Sequence, residues 1–435
     1  MKARARSSSI LREEIVSTTL ACGLPVHVLP KRGFSKKVGI FAARYGSIDL
    51  AFTPPKRERL ATPPGIAHFL EHQLFKKAGG EDVLMEFGRT GASSNAFTDY
   101  CTTAYYFTGS GEFDKNLDLL VSFVSDPYFD EDNVAKEKLI IEQELRMYED
   151  SPDHRLYKNL MRILYTAHPV RLDIGGEVSD IQKIDRGLLE SCYRMFYSPS
   201  NMDLIVAGDV DPADVFSRVE RLLPSEKFPP LGEIGRHLEV EPPGVKERVA
   251  REAMDISRPR VLLGFKETDG GTRKPLEREL EMSVLLDLLF GRGSDFYNAA
   301  YEKGLIDDSF SFSYSGEDAF GFSLIGGETG EPETLAERIL EELHAARKRR
   351  PKLADVERSR RKRLGKFIRS FDSPDGAAFL LLGCEPRGID ILEVPKLLQK
   401  LTPAALERRL REHFDERNYA VSILTPKSGA SASSS

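Results

Sequence analysis

Two histidines and a glutamate lie close together in the segment 68–72, which reads HFLEH. On a helix, His68 and His72 share one face one turn apart, with Glu71 beside them. Neutral imidazoles at this spacing can bind one zinc ion, and the carboxylate can act as base for a water molecule that the metal activates. Ordinary surface histidines are the alternative, but two of only eight histidines flank this glutamate. The inverted motif H-x-x-E-H therefore predicts zinc ligands at His68 and His72 and a general base at Glu71.

The residues around the motif predict the helix that must carry it. Pro63-Pro64-Gly65 ends a loop, and the pattern from Ile66 to Lys77 is helical, with a stop at Gly79-Gly80. At about 100° per residue, the apolar side chains of this helix share the face opposite the two histidines.

A catalytic zinc site needs a third protein ligand and an open position for water. The candidate ligands lie on a predicted helix from Glu131 to Glu149. Glu137 and Glu144 are two turns apart and share one face, whereas Glu142 points nearly the opposite way. We assign Glu144 as the third ligand and place Glu137 in the catalytic set, as a carboxylate that orients a ligand or the water. Without the upstream motif, a charged, solvated helix face would be the better interpretation of Glu144.

Two segments of the chain, 184–206 and 401–423, share a pattern at a constant offset of 217 residues. The matched pairs are Leu189 with Leu406, Glu190 with Glu407, Arg194 with Arg411, Tyr197 with Phe414 and Asn201 with Asn418. Each segment reads as a helix, a turn and an alternating apolar strand. The repeat indicates an internal duplication.

The duplication predicts an α+β fold with two homologous domains, each a mostly antiparallel sheet with helices packed on one face. The catalytic domain is predicted at 14–223 and the homologous non-catalytic domain at 248–427. The Pro-rich stretch 224–247 reads as the linker between them. We expect a flexible tail at 1–13 and a disordered Ser/Ala/Gly tail at 428–435.

The composition of the 435 residues, 40% apolar and 30% charged, is typical of a globular protein of two or three domains. A net charge of -6 without a strong basic patch argues against a nucleic-acid partner. No apolar run is long enough to cross a bilayer, so no membrane partner is expected. The cysteines lie far apart, which predicts reduced thiols and a cytoplasmic protein. The basic, Ser-rich N-terminus is not a secretory signal, and a fragment of an organelle transit peptide is the alternative to a flexible tail.

Five segments, the first of which contains the motif, carry a resemblance to a known family. They are GIAHFLEHQLFKKAGG (65–80), ASSNAFTDYCTTAYYF (92–107), EKLIIEQELRMYEDSPD (137–153), HPVRLDIGGEVSDI (168–181) and YSPSNMDLIVAGDVD (197–211). In this order they resemble the pitrilysin/insulinase family of inverted-motif zinc peptidases. The chain is most similar to the bacterial processing-protease-like subfamily, which is related to mitochondrial processing peptidase.

The resemblance implies a zinc metalloendopeptidase with Zn2+ held by His68, His72 and Glu144. The resemblance also implies that Glu71 is the general base and that Glu137 assists the catalytic residues. The second half resembles the family's non-catalytic homologous domain around 291–314.

The segment Ser94 to Thr98 resembles the family's edge strand beside the metal. An extended peptide would add to this edge through main-chain hydrogen bonds, which selects unstructured substrates. We therefore predict that Asn95, Ala96 and Phe97 bind substrate. A plain buried strand is the alternative.

The second half departs from the family pattern. Many family members have an Arg and a Tyr there, near the scissile bond, but 319–324 reads AFGFSL and the loop 326–333 also lacks both residue types. A homodimer or a heterodimer with a homologous subunit is therefore expected, in which the partner supplies the missing groups.

Three functions are compatible with the motif. The first is zinc-dependent hydrolysis of extended peptides. The second is a catalytically incomplete subunit, which is active only with a homologous partner or serves as a scaffold for it. The intact His-Glu-His set with Glu144 argues against a pure scaffold. The third is a zinc hydrolase for non-peptide substrates, which only the generality of zinc chemistry supports.

Overall fold

The fold is taken from a computed structural model, which describes residues 3–55, 58–77, 82–229, 231–268 and 275–427. The chain folds into two compact units. Unit 1 contains the described residues of 1–145, 173–238 and 367–394, and unit 2 contains those of 146–172, 239–366 and 395–435.

Strands and helices alternate in groups along both halves of the chain. The strands are β1 (Arg4–Ser8), β2 (Glu13–Thr19), β3 (Pro25–Pro30), β4 (Lys37–Ala43), β5 (Ala51–Thr53), β6 (Leu60–Ala61), β7 (Ser93–Thr98), β8 (Thr103–Gly109), β9 (Met202–Gly208), β10 (Gly235–Arg236), β11 (Val249–Met254), β12 (Arg260–Lys266), β13 (Ser311–Gly316), β14 (Gly321–Glu328) and β15 (Tyr419–Pro426). The helices are α1 (Ile66–Leu74), α2 (Val83–Arg89), α3 (Phe113–Ser125), α4 (Glu131–Glu149), α5 (Pro152–Leu164), α6 (Val178–Ile181), α7 (Arg186–Phe196), α8 (Pro212–Leu222), α9 (Pro275–Phe290), α10 (Asp295–Glu302), α11 (Pro332–Ala346), α12 (Leu353–Arg369), α13 (Pro374–Cys384), α14 (Val394–Lys400) and α15 (Pro403–His413). No helix in the described part of the chain is long and apolar enough to cross a membrane.

The main sheet of unit 1 has the strand order β1-β2-β3-β9-β4-β8-β7 in the described residues. Its neighbours pair antiparallel except β3 and β9, which pair parallel. The sheet of unit 2 has the order β11-β15-β12-β14-β13, with β11 and β15 parallel and the other pairs antiparallel. The predicted α+β class with mostly antiparallel sheets is confirmed.

The two sheets support the duplication, because β3-β9-β4-β8-β7 and β11-β15-β12-β14-β13 have the same topology. The aligned asparagines also make equivalent bonds. The Asn201 amide donates to the carbonyl of Phe196 at 2.8 Å, and that of Asn418 donates to the carbonyl of His413 at 2.9 Å. In each half, this asparagine ties the end of a helix to the strand that follows.

The compact units differ from the continuous domains that were predicted. Helix α5 lies in the first half of the sequence but packs on β12 and β15 of unit 2. Helix α13 lies in the second half but packs on β4 and β9 of unit 1. These amphipathic or apolar helices cover sheet faces that would otherwise expose apolar side chains to water. Sequence order alone does not reveal this exchange.

The predicted flexible N-terminal tail is wrong for the described residues of 1–13, because Arg4–Ser8 pairs with β2 along its whole length. Main-chain pairing with β2 forms this edge strand, although its sequence, RARSS, has little apolar content. The described residues of the predicted linker 224–247 are irregular except for β10, which pairs with β5. The predicted tail 428–435 lies outside the described residues.

Helix α1 begins at the predicted residue and ends at Leu74, earlier than predicted, while the proposed stop at Gly79-Gly80 lies outside the described residues. Gly65 precedes the helix with φ +86°, and a Cβ there would lie 2.3 Å from the carbonyl oxygen of Gly175. Glycine is therefore required where the two backbones meet. The apolar face packs as predicted, and its buried members are Ile66, Phe69, Leu70 and Leu74.

Candidate metal centre

The helices α1 and α4 bring three predicted ligands together. The Nε2 atoms of His68 and His72 are 3.2 Å apart. The Glu144 carboxylate lies 3.3 Å from His72 Nε2 and 3.8 Å from His68 Nε2. One ligand atom from each residue falls within 4.8 Å of the others, and this is the one such group of His, Cys and acidic residues in the described chain.

This donor set fits a zinc ion. Tetrahedral zinc with Zn–N bonds of about 2.0–2.1 Å separates two imidazole nitrogens by about 3.3 Å, close to the spacing of His68 and His72. Two imidazoles and one carboxylate also match the ligand types of catalytic zinc sites, which leave a fourth position open. All three side chains are partly exposed, so solvent can reach them.

Glu137 lies behind His72, on the same face of α4 as Glu144. Its carboxylate accepts a hydrogen bond from His72 Nδ1 at 2.9 Å, and Lys76 Nζ lies 3.4 Å from its other oxygen. In the neutral imidazole of His72, a proton held on Nδ1 by Glu137 leaves the lone pair on Nε2, the nitrogen beside His68 and Glu144. Glu142 lies away from the cluster, 3.5 Å from the side-chain amide of Gln182.

The metal-free electrostatics differ sharply between the two histidines. Burial and the neighbouring His72 lower the pKa of His68 from 6.5 to about 4. Burial also disfavours a charged His72, but its bonds to Glu137 and Glu144 outweigh burial and raise its pKa to about 9. Burial opposes ionisation of Glu137, yet His72 and Lys76 hold its pKa below the ordinary value. The carboxylates of Glu137 and Glu144 therefore favour a positive charge beside them, which is also what a bound cation requires.

The carboxylate of Glu71 is buried beside the ligands, with 8% of the residue exposed. Burial raises its pKa, and a hydrogen bond from Thr98 partly offsets that effect. Thr98 Oγ1 donates to Glu71 Oε2 at 2.6 Å. Sequence reasoning missed this role for Thr98, although the residue closes the predicted edge strand.

Asp173 was also missed. Burial lowers the pKa of His68 overall, and the charge of Asp173 opposes that shift, so Asp173 lies within electrostatic range of the cluster. It belongs to the quoted segment 168–181, which was the available signal. His68 Nδ1 is buried and has no hydrogen-bond partner among the described residues.

The predicted substrate strand is an edge. Strand β7 is the last in the sheet of unit 1 and pairs only with β8 in the described chain. Asn95 is exposed, while Ala96 and Phe97 are partly buried, so the plain buried strand is excluded. Contacts between α1 and β7 place this edge next to the motif helix.

Unit 2 contains a group of three polar side chains, Ser323, His413 and Glu267, that resembles a catalytic site. Ser323 Oγ is 2.8 Å from His413 Nε2, and His413 Nδ1 is 2.9 Å from Glu267. These groups have the order of a hydrolytic Ser-His-Glu triad. The serine and histidine are wholly buried, however, so no substrate reaches them and the cluster is structural.

Known proteins share this organisation. The profile of Insulinase (Peptidase family M16) matches residues 60–177, and that of the Peptidase M16 inactive domain matches residues 183–363. The chain is 39% identical over 427 residues to the uncharacterized zinc protease YmfH of Bacillus subtilis, covering 96% of this chain and 98% of that protein.

Solved structures have the same fold as this chain. A crystal structure of an M16-like peptidase from Alicyclobacillus acidocaldarius matches with TM-score 0.91 and 35% identity, covering 98% of this chain and 99% of that one. The periplasmic protease PqqL of Escherichia coli shares the fold, with TM-score 0.74 and 16% identity over 97% of this chain but 48% of that chain. The predicted resemblance is confirmed, and the chain belongs to the insulinase family of peptidases, family M16.

Proposed function

We propose that the chain is a zinc metalloendopeptidase that hydrolyses peptide bonds in extended, unstructured peptides. The convergence of His68, His72 and Glu144 on one point supports this most directly. A carboxylate suited to act as base lies on the same helix turn, at Glu71. Relatives that are named zinc proteases add support at the level of the family.

In the proposed reaction, His68, His72 and Glu144 would hold the zinc ion, and Glu137 orients His72 by accepting its Nδ1 proton. A zinc ion held there would supply Lewis acidity for the hydrolysis. Glu71 takes a proton from the attacking water and delivers it to the leaving amine.

The proposed substrate is an extended peptide paired with β7. Main-chain donors and acceptors at a free strand edge bind any extended chain with little regard for its side chains. Asn95, Ala96 and Phe97 are the strand residues that we propose for this role. A folded protein does not present such a strand, which favours unstructured substrates.

Peptide digestion with matched variants tests the function. We expect wild type to cleave an unstructured, internally quenched peptide, and a chelator to stop it until zinc is restored. Glu71→Gln keeps the zinc but lowers kcat by about 100-fold or more, because a general base contributes 10²–10⁴-fold. Wild-type turnover in Glu71→Gln, with zinc bound, would refute the assignment of the base.

A second function is that of a subunit that needs a homologous partner. One observation favours it, namely that 319–333 contains neither Arg nor Tyr. The match to only 48% of PqqL is compatible with it, since that chain has room for a second half of similar size. Under this second proposal the zinc ligands are again His68, His72 and Glu144, but groups that contact the substrate come from the partner.

A further inference from the structure

We propose that Thr98 is the positioning residue of the general base, and that it locks Glu71 through one carboxylate oxygen. This inference rests on the proposed function. Thr98 is the last residue of β7, the edge strand, and Glu71 lies on α1. The bond between them joins the strand proposed to bind substrate to the residue proposed to move the proton.

The direction of this hydrogen bond follows from chemistry. An ionised carboxylate can only accept, so the Thr98 hydroxyl must donate to Glu71 Oε2. At 2.6 Å the contact is in the range of short, charge-assisted O–H···O⁻ bonds. Such a bond inside a buried site restricts the carboxylate far more than water would.

A second hydroxyl lies beside that of Thr98. Thr98 Oγ1 lies 3.3 Å from Thr103 Oγ1, and these residues are directly opposite in the β7–β8 pair. Thr103 Oγ1 donates to the carbonyl oxygen of Tyr45 at 2.9 Å and is wholly buried. With that proton committed, Thr103 cannot compete for the carboxylate of Glu71, and Thr98 remains its donor.

The second oxygen of Glu71 has a different environment. Oε1 accepts no hydrogen bond from the described residues, while the carboxylate as a whole interacts electrostatically with His72 and Glu144. Anchoring Oε2 therefore leaves Oε1 to exchange protons with water. A base fixed in one rotamer needs no reorganisation when the reaction begins.

Two variants separate the hydroxyl from packing. Thr98→Val keeps the shape but removes the donor, and Thr98→Ser keeps the donor but removes a methyl group. We expect Thr98→Val to retain its zinc and thermal midpoint and to lower kcat by about 10- to 100-fold, with KM within about twofold of wild type. Thr98→Ser restores most of the lost kcat.

Crystal structures of the zinc-loaded wild type and both variants provide a readout that does not depend on activity. We expect the Glu71 carboxylate to occupy one rotamer in wild type and Thr98→Ser, and to rotate or split in Thr98→Val. An unmoved Glu71 in Thr98→Val overturns the inference, as does equal loss of kcat in both variants. Absence of chelator-sensitive cleavage by wild type, with or without a partner, would refute the proposed function instead, and the carboxylate position would still decide the role of Thr98.

Discussion

At the scale of single residues, two glutamates on one helix provide a sharp comparison. Glu144 lies 3.3 Å from His72, whereas Glu142, two positions earlier, lies beside Gln182. We expect Glu144→Gln to lower zinc affinity by more than the roughly 10- to 100-fold that loss of an outer partner costs. Competition with a chromophoric chelator measures this affinity. Glu142→Gln is the control and should bind zinc as wild type does, and equal loss in both variants would reject Glu144 as the ligand.

Glu137 lies behind His72, one step further from the proposed metal position. It accepts the Nδ1 proton of His72 and is itself buried. We expect Glu137→Gln to weaken zinc binding by about 10- to 100-fold, because the amide can accept the same bond but no longer carries the charge that strengthens the ligand. The same chelator competition checks it. Wild-type affinity in this variant would reduce Glu137 to a structural role.

At the scale of elements, Glu241 ties the segment before β11 to the end of α5. Its carboxylate accepts hydrogen bonds from the backbone of residues 166–168, each at 2.8 Å. It also bonds at 2.5 Å to Lys266, whose side chain is wholly buried. We expect Glu241→Gln to cost about 3–5 kcal/mol of unfolding free energy in urea, because a buried ammonium loses its counter-charge. The exposed Glu239→Gln should cost almost nothing.

This contact also predicts a pH dependence. Burial opposes ionisation of Glu241, but its bonds to Lys266 and the backbone amides outweigh burial and lower its pKa. Because the folded pKa is depressed, the stabilisation is present above the unfolded value of about 4.3 and is lost as pH falls through the folded pKa. The stability gap between wild type and Glu241→Gln should thus shrink in acid. A gap that stays constant to low pH would contradict this assignment.

The edge strand β7 leads to a test that uses the substrate. If peptides pair with this edge, methylation of backbone nitrogens near the scissile bond removes donors and adds bulk. We expect KM to rise for N-methylated peptides, with a side-chain change of similar size as the control. Equal sensitivity to both changes would favour recognition through side chains.

At the scale of the whole molecule, the missing Arg and Tyr predict dependence on a partner. We expect a homologous chain that carries both residues in the region matching 319–333 to raise kcat on unstructured peptides, while zinc content stays constant. Titration of one chain with the other, followed by light scattering, measures activity and assembly together. Full activity of the purified single chain would remove the need for a partner.

The assignment of a second-half helix to unit 1 also concerns the whole molecule. Helix α13 supplies Phe379, whose ring centroid lies 5.0 Å from that of Tyr106 and 6.3 Å from that of Phe97. The sheet that contains the edge strand β7 is thus supported by a helix from the other half of the sequence. Neither half of the chain, cut at the predicted linker, would hold a complete unit 1.

Sequence alone determined what depends on local periodicity. The spacing of His68, Glu71 and His72 implied one helix face, and α4 has the predicted bounds, Glu131–Glu149. Helical phase was sufficient to favour Glu144 over Glu142, since side-chain direction follows from about 100° per residue. The duplication was visible because equivalent helices and strands repeat at a nearly constant offset.

Tertiary structure alone decided the contacts between distant segments. Thr98 meets Glu71 because sheet register and the packing of α1 on β7 bring them together, and no spacing rule links the two residues. The exchange of α5 and α13, and the pairing of residues 4–8 as a strand, likewise depend on which apolar face or strand edge is free. HFLEH was readable in sequence because it is local, whereas the group that holds its glutamate is supplied by the folded sheet.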